Sequence, residues 1–190
     1  MNVYDFDKTI YNGDSTVDFF LYAIKRKPYL LIYVPKQAWG FFLYAIKKID
    51  KTQLKEYFFC FCRLINAEEL AVSFWKKNQR KIYSWYLHRQ QSDDIIISAS
   101  PQFLLKPVCQ NLGIKHLIAS VVDPKTGRFN SKNCYGYEKT RRLNEEFGNI
   151  SIESFYSDSL SDLPLAKMAT NAFIIEKGKI KKWAVSDNNG

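Results

Sequence analysis

Three consecutive isoleucines, Ile95 to Ile97, stand in the stretch DDIIISAS, with aspartates before them and serines after. An apolar run this short, with no polar alternation, reads as a strand buried on both faces. Such strands belong to parallel sheets covered by helices on either side. The surrounding chain repeats the signal. Residues 2–6 (NVYDF) form another short apolar run, KHLIASVVD and SIESFYSD two more, and NAFIIEKGKIKKW reads as a strand pair around Gly178. Helical stretches lie between them: PQFLLKPVCQNLG, with Pro101 near its first turn and Gly113 at its end, YEKTRRLNEEFG ending at Gly148, and DLPLAKMA. This alternation predicts an α/β fold with a parallel sheet. VVDPKTGRFNS carries hairpin signals, with Pro124 and Gly127 in its turn.

The segment after the first strand has a different texture. Residues 14–90 hold 14 Lys and Arg against 6 Asp and Glu, so +8 of the chain's net charge of +9 falls there, with 18 of the 30 aromatic residues. The pattern is mainly helical. Ser15 or Asp14 is placed to cap a first helix, IDKTQLKEYFFCFCRL reads as a further helix, and Asn66 as the cap of another. The expected organisation is therefore a balanced α/β core, residues 1–13 and 90–190, with a basic, aromatic helical cap over residues 14–89. At 190 residues, 46% hydrophobic and 25% charged, the chain is globular rather than disordered. Its four cysteines show no paired CxxC, which predicts reduced thiols in a cytoplasmic protein rather than a zinc site. With only four residues ahead of Asp5, no secretory leader is expected.

Open α/β sheets bind ligands beyond the carboxyl ends of their strands. The first strand ends in Asp5-Phe6-Asp7-Lys8-Thr9, the isoleucine strand in Ser98-Ala99-Ser100, and the SIESFYS strand in Asp158-Ser159-Leu160-Ser161-Asp162. Lys139 lies near the start of a helix between them. Carboxylates, hydroxyls and one lysine on a single sheet edge suit a hard divalent cation and a phosphoryl group.

DFDKT, the strand-terminal serine, the lysine and DSLSD, in this order, resemble the four motifs of the haloacid dehalogenase superfamily phosphatases. The resemblance covers nearly the whole chain and implies a Rossmann-like parallel-sheet core with a helical cap inserted after the first strand. NCYGYEKTRRL and YSDSLSDLPL further resemble the phosphoserine phosphatase-like branch, which includes small-molecule and phosphatidylglycerophosphate phosphatases. The resemblance implies Asp5 as nucleophile, forming an aspartyl-phosphate. It implies Asp7 as acid to the leaving alkoxide and then base to water, its backbone carbonyl on the metal. Thr9 fixes the turn by the phosphate, and Ser98 with the N–H groups after it, from Ala99, holds phosphate oxygens. Ser100 is the rival hydroxyl, and either serine could instead cap the following helix. Lys139 neutralises the nucleophile and the phosphoryl group. Asp5, Asp7 and Asp158 hold Mg²⁺, and Asp162 orients a metal-bound water or Lys139 while also standing where an N-cap belongs.

Phosphoserine-specific members carry a Glu soon after the first motif and an Arg on a cap helix. Here Asp14 stands near the first position, and Arg63 matches the second only loosely. RKPYLLIYVPKQAWGFFLYAIKK resembles instead the apolar cap segment of the lipid-phosphate branch. Lys36 near its middle, and a topology that would put Asp5 and Asp158 on opposite sides of a bilayer, exclude a single crossing. Two arrangements stay open: the aromatics pack on one another, or they meet an anionic membrane surface as a peripheral contact. The expected function is a Mg²⁺-dependent phosphomonoesterase acting on a small phosphorylated substrate, by hydrolysis or transfer to another alcohol. Lipid-phosphate hydrolysis at a membrane surface is one alternative. A non-enzymatic basic scaffold or nucleic-acid-binding module is the other, though it leaves the four motifs unexplained and no nucleic acid is expected.

Overall fold

A computed structural model describes residues 1–184. The apolar runs fold as β1 (Asn2–Tyr4), β2 (Ile95–Pro101), β3 (His116–Ser120), β4 (Ile152–Ser157), β5 (Ala169–Glu176) and β6 (Lys179–Lys182). They form one sheet in the order β3-β2-β1-β4-β5-β6. The first five strands run parallel, and β6 returns antiparallel on β5. That return turns at Lys177 and Gly178, with φ of 50° and 79°. Two successive left-handed residues are what a tight hairpin matched to strand twist requires. A Cβ on Gly178 would also stand 2.5 Å from the ring of Tyr83.

Five helices lie between β1 and β2: α1 (Ser15–Arg26), α2 (Val34–Ala45), α3 (Lys51–Phe59), α4 (Ala67–Asn78) and the single turn α5 (Ser84–Leu87). Later come α6 (Gln102–Asn111), α7 (Tyr137–Phe147) and α8 (Leu163–Ala166). Of the two candidates for the first cap, Asp14 takes the role, accepting from the Val17 N–H at 3.0 Å. Asn66 caps α4 through the Glu69 N–H, as expected. The stretch expected as one helix over IDKTQLKEYFFCFCRL ends its α form at Phe59 and tightens to a 3₁₀ turn over Cys60–Leu64. There the chain meets Gly127, where a Cβ would lie 2.2 Å from the Phe59 carbonyl. The hairpin signals around Gly127 yield one bridge, Val122 to Phe129, rather than a paired ribbon.

Strand periodicity divides the interior. Val3, Ile95, Ile97 and Phe155 point to one face and pack with Leu143 of α7 and Leu165 of α8. Tyr4, Ile96 and Tyr156 point to the other and join Phe19, Phe74, Trp75, Leu104 and Val108 from α1, α4 and α6. Parallel register keeps like faces together: Val3 lies beside Ile95 and Phe155, and Tyr4 beside Ile96 and Tyr156. The inserted helices thus share an apolar cluster with the sheet. Trp75 ties them further by donating its indole N–H to the Leu104 carbonyl at 2.6 Å.

The 28–46 stretch packs only in part, with Trp39 stacked on Phe42 at 5.4 Å between ring centroids. Leu30, Gln37 and Gly40 are buried, while Ile32 (73%), Trp39 (55%), Phe41 and Phe42 are largely exposed. Among the described residues no helix is long and apolar enough to cross a membrane. All four cysteines are buried, unpaired thiols.

Candidate active site

β1 is the point from which the chain builds the sheet in both directions, so the loops after β1 and β4 open side by side. The loop after β1 folds back at once: the Phe6 carbonyl accepts from the N–H groups of Ile10 and Tyr11, each at 3.0 Å. Lys8 adopts a left-handed φ of 56° and donates its N–H to the Gly13 carbonyl. This sharp return points Asp5 and Asp7 into one cavity of about 380 Å³. Thr9 staples the adjoining loops, donating to Asp5 Oδ2 at 3.2 Å and accepting from the Asp158 N–H at 2.9 Å.

Lys139 arrives on the first turn of α7, which starts after Gly136 at a φ of 58°. Its ammonium, fully sunk in the protein, lies 2.5 Å from Asp5 Oδ1 and 2.7 Å from Asp162 Oδ2. Burial works against the Lys139 charge, but the Asp5 and Asp162 carboxylates outweigh it and raise its pKa. Burial also raises Asp5, with Lys139 pulling it back down. Ser157 donates to the same Asp162 oxygen at 2.8 Å. The expectation that Asp162 caps the following helix is therefore corrected. It occupies the N-cap position of α8, but its side chain makes no capping bond, because Lys139 and Ser157 draw it inward.

Asp7 is held from two sides. The Ser15 N–H, at the start of α1, donates to Oδ1 at 2.6 Å, and the Ser100 hydroxyl donates to Oδ2 at 2.5 Å. Burial and the nearby Asp14 push its pKa up to about 7 against those two donors. Asp158 is raised to about 6, by burial first and then by Asp5. Ser98 is buried at the cavity wall, its hydroxyl accepting the Ser100 N–H at 3.1 Å. A register shift between Ser98 and Pro101 lets this segment curl away from β3. Ala99 and Asp14 also line the cavity, Asp14 while capping α1.

All the sequence-predicted residues thus reach one cavity or its wall, except that Thr9 lies just behind it, on Asp5. The sequence reading missed Lys51, Lys55 and Asn133. Lys55 reaches from α3 to the Ala99 carbonyl at 2.7 Å and to Asn133 Oδ1 at 3.0 Å. Only the four-residue spacing of Lys51 and Lys55, which puts both on one helix face, could have flagged the lysines. Among the described residues no three Asp, Glu, His or Cys side chains form a ready-made metal cage. Two carboxylates, Asp5 and Asp158, and the Asp7 carbonyl make an all-oxygen set that would leave room for waters, which suits Mg²⁺. Asp162 Oδ1 is buried with no partner, an acceptor that a metal-bound water would satisfy.

A curated relative, the histidinol-phosphatase of Neisseria meningitidis serogroup C (strain 8013), is 24% identical over 96% of this chain and 96% of its own. Among solved structures, a protein of unknown function from Bordetella pertussis Tohama I superposes with a TM-score of 0.71 at 19% identity, over 90% of this chain and 87% of that one. A phosphoserine phosphohydrolase-like protein from Francisella tularensis subsp. tularensis SCHU S4 reaches 0.57 at 16% identity, over 90% and 86%. These structural likenesses show the shared fold. The haloacid dehalogenase-like hydrolase family matches residues 3–167, nearly the full span from β1 to the end of α8, and the chain belongs to that family of enzymes.

Proposed function

We propose that the chain is a phosphomonoesterase that works through an aspartyl-phosphate on Asp5. The observation that carries this is the Asp5 carboxylate itself, at the end of β1 on the cavity wall, with Lys139 on one oxygen and Thr9 on the other. An Asp5 oxygen attacks phosphorus, the ester P–O bond breaks, and Asp7 gives its proton to the departing alkoxide. A carboxyl with a pKa of about 7 holds that proton near neutral pH. Asp7 then takes a proton from water, whose oxygen attacks phosphorus and frees Asp5. Ser100 is committed to Asp7, which leaves the Ser98 hydroxyl as the donor toward phosphate, with the backbone N–H groups beyond it. Lys139, steadied by Asp162, offsets negative charge as it builds on the phosphoryl oxygens. Asp5, Asp158 and the Asp7 carbonyl would hold Mg²⁺, which when bound supplies further charge neutralisation.

The test is Asp5→Asn, assayed with Mg²⁺ on phenyl phosphate and a panel of phosphate esters. The amide keeps the shape and loses the nucleophile, so turnover is lost while the thermal melt persists. Residual activity above about 10%, a barrier change under about 1.4 kcal/mol, would refute the assignment.

One observation favours a narrower substrate class, esters with an apolar tail or borne on a membrane. Phe41 lines the cavity and, with Ile32, Trp39 and Phe42, is an exposed apolar side chain of a segment flanked in sequence by Lys25, Arg26, Lys27, Lys47 and Lys48. Co-sedimentation with anionic vesicles at low salt and release at high salt is the expected result. No sedimentation with anionic vesicles at low salt removes this narrower class.

A further inference from the structure

α3 sends two ammonium groups into the cavity. Lys51 and Lys55, one turn apart, line it together with Asp5, Asp7, Asp14 and Asp158. Lys55 is half-buried, and its hydrogen bonds go to neutral oxygens, the Ala99 carbonyl and the Asn133 side chain. An ammonium has three protons, so one remains for something in the cavity. Lys51 lies 3.3 Å over the ring of Tyr135. Among the described residues, neither lysine is in an ion pair, whereas Lys139, Lys81 and Lys181 each face a carboxylate. Burial first, and then the neighbouring Lys51, draw the Lys55 pKa down to about 8, against the opposing pull of Asp7 and Asp14.

Resting on the phosphatase reading, we propose that Lys51 and Lys55 form a second anion subsite and determine specificity. The substrate's alcohol portion then carries a further anionic group, a carboxylate or a second phosphate, within a few bonds of the ester phosphate. The short reach follows from Lys55 sitting on the carbonyl of Ala99, the residue next to Ser98 in the segment assigned to the phosphate.

Glycerol 3-phosphate and 3-phosphoglycerate make the direct comparison, since they differ by a carboxylate on the same three-carbon frame. The expected kcat/KM ratio favours 3-phosphoglycerate at least tenfold, and Lys55→Met or Lys51→Met brings that ratio close to one. Lys55→Arg retains it. Binding is read separately by titration calorimetry in an Asp5→Asn background with Mg²⁺, where the same ratio should appear in the dissociation constants. A parent with no preference, or a ratio unmoved in both methionine variants, overturns the inference. Equal loss on both esters also overturns it, since it assigns Lys55 to tethering α3 or gripping the transferred phosphate. If no ester is turned over, the phosphatase reading fails, and the calorimetric ratio still decides whether a second anion is recognised.

Discussion

Replacing Lys139 with Met keeps a similar aliphatic length and removes the ammonium that lies between two carboxylates. Asp5 and Asp162 are 7% and 1% exposed, and Lys139 is bonded to both. Removing one partner of a buried pair costs about 3–5 kcal/mol, because the charges left behind have no compensation. For a domain of this size each kcal/mol moves Tm by roughly 2–4 °C, so the expected drop is roughly 6–20 °C. The loss carries a pH signature. Burial holds Asp5 above its ordinary pKa, and Lys139 opposes that. Without Lys139 the folded-state value climbs further. A carboxyl raised in this way contributes stability fully present below its unfolded pKa of about 4 and lost as pH rises toward the folded value. The gap between parent and variant therefore widens from pH 5 to pH 8. Differential scanning calorimetry in EDTA at both pH values measures it. A loss under about 1 kcal/mol, or one equal at both pH values, would refute the charge argument and leave only side-chain packing.

The acid role of Asp7, whose carboxyl is pushed up to about 7, predicts that kcat/KM falls above about pH 7 as the proton is lost; a flat profile from pH 6 to 9 contradicts it. Gly127→Ala should cost more than about 2 kcal/mol in urea unfolding, since its φ is 74° and the new Cβ would meet the Phe59 carbonyl; a midpoint like the parent's would show that α3 and this turn can separate freely. Trp75→Phe removes the buried indole bond to the Leu104 carbonyl and should cost about 0.5–1.5 kcal/mol, read from the same unfolding curves. A stability matching the parent's would mean that the bond contributes nothing net.

Much of this architecture is local and therefore legible in one dimension. Isoleucine runs, strand-end carboxylates, the Asn66 cap and the Gly178 turn all act over a few residues, and such interactions depend on neighbours in the chain. The DFDKT loop and the DSLSD loop could be recognised for the same reason: each concentrates its chemistry within five residues at a strand end. What tertiary structure alone decided was pairing across distance. Asp162 looks like a helix cap in sequence, yet 23 residues away Lys139 offers it a stronger partner, and the cap is forgone. Ser98 and Ser100 are equivalent candidates on paper, and only the arrival of Asp7, 93 residues earlier, commits Ser100. Lys55 reads as one more surface lysine until α3 packs it 44 residues ahead onto the Ala99 carbonyl. The aromatic stretch before α3 could have turned inward, but the sheet face is already filled by α1, α4 and α6, so Trp39 and Phe42 remain outside. Hydrophobic periodicity tells a segment that it has a face to bury; only the competition among all such faces for one sheet determines which of them is left in water.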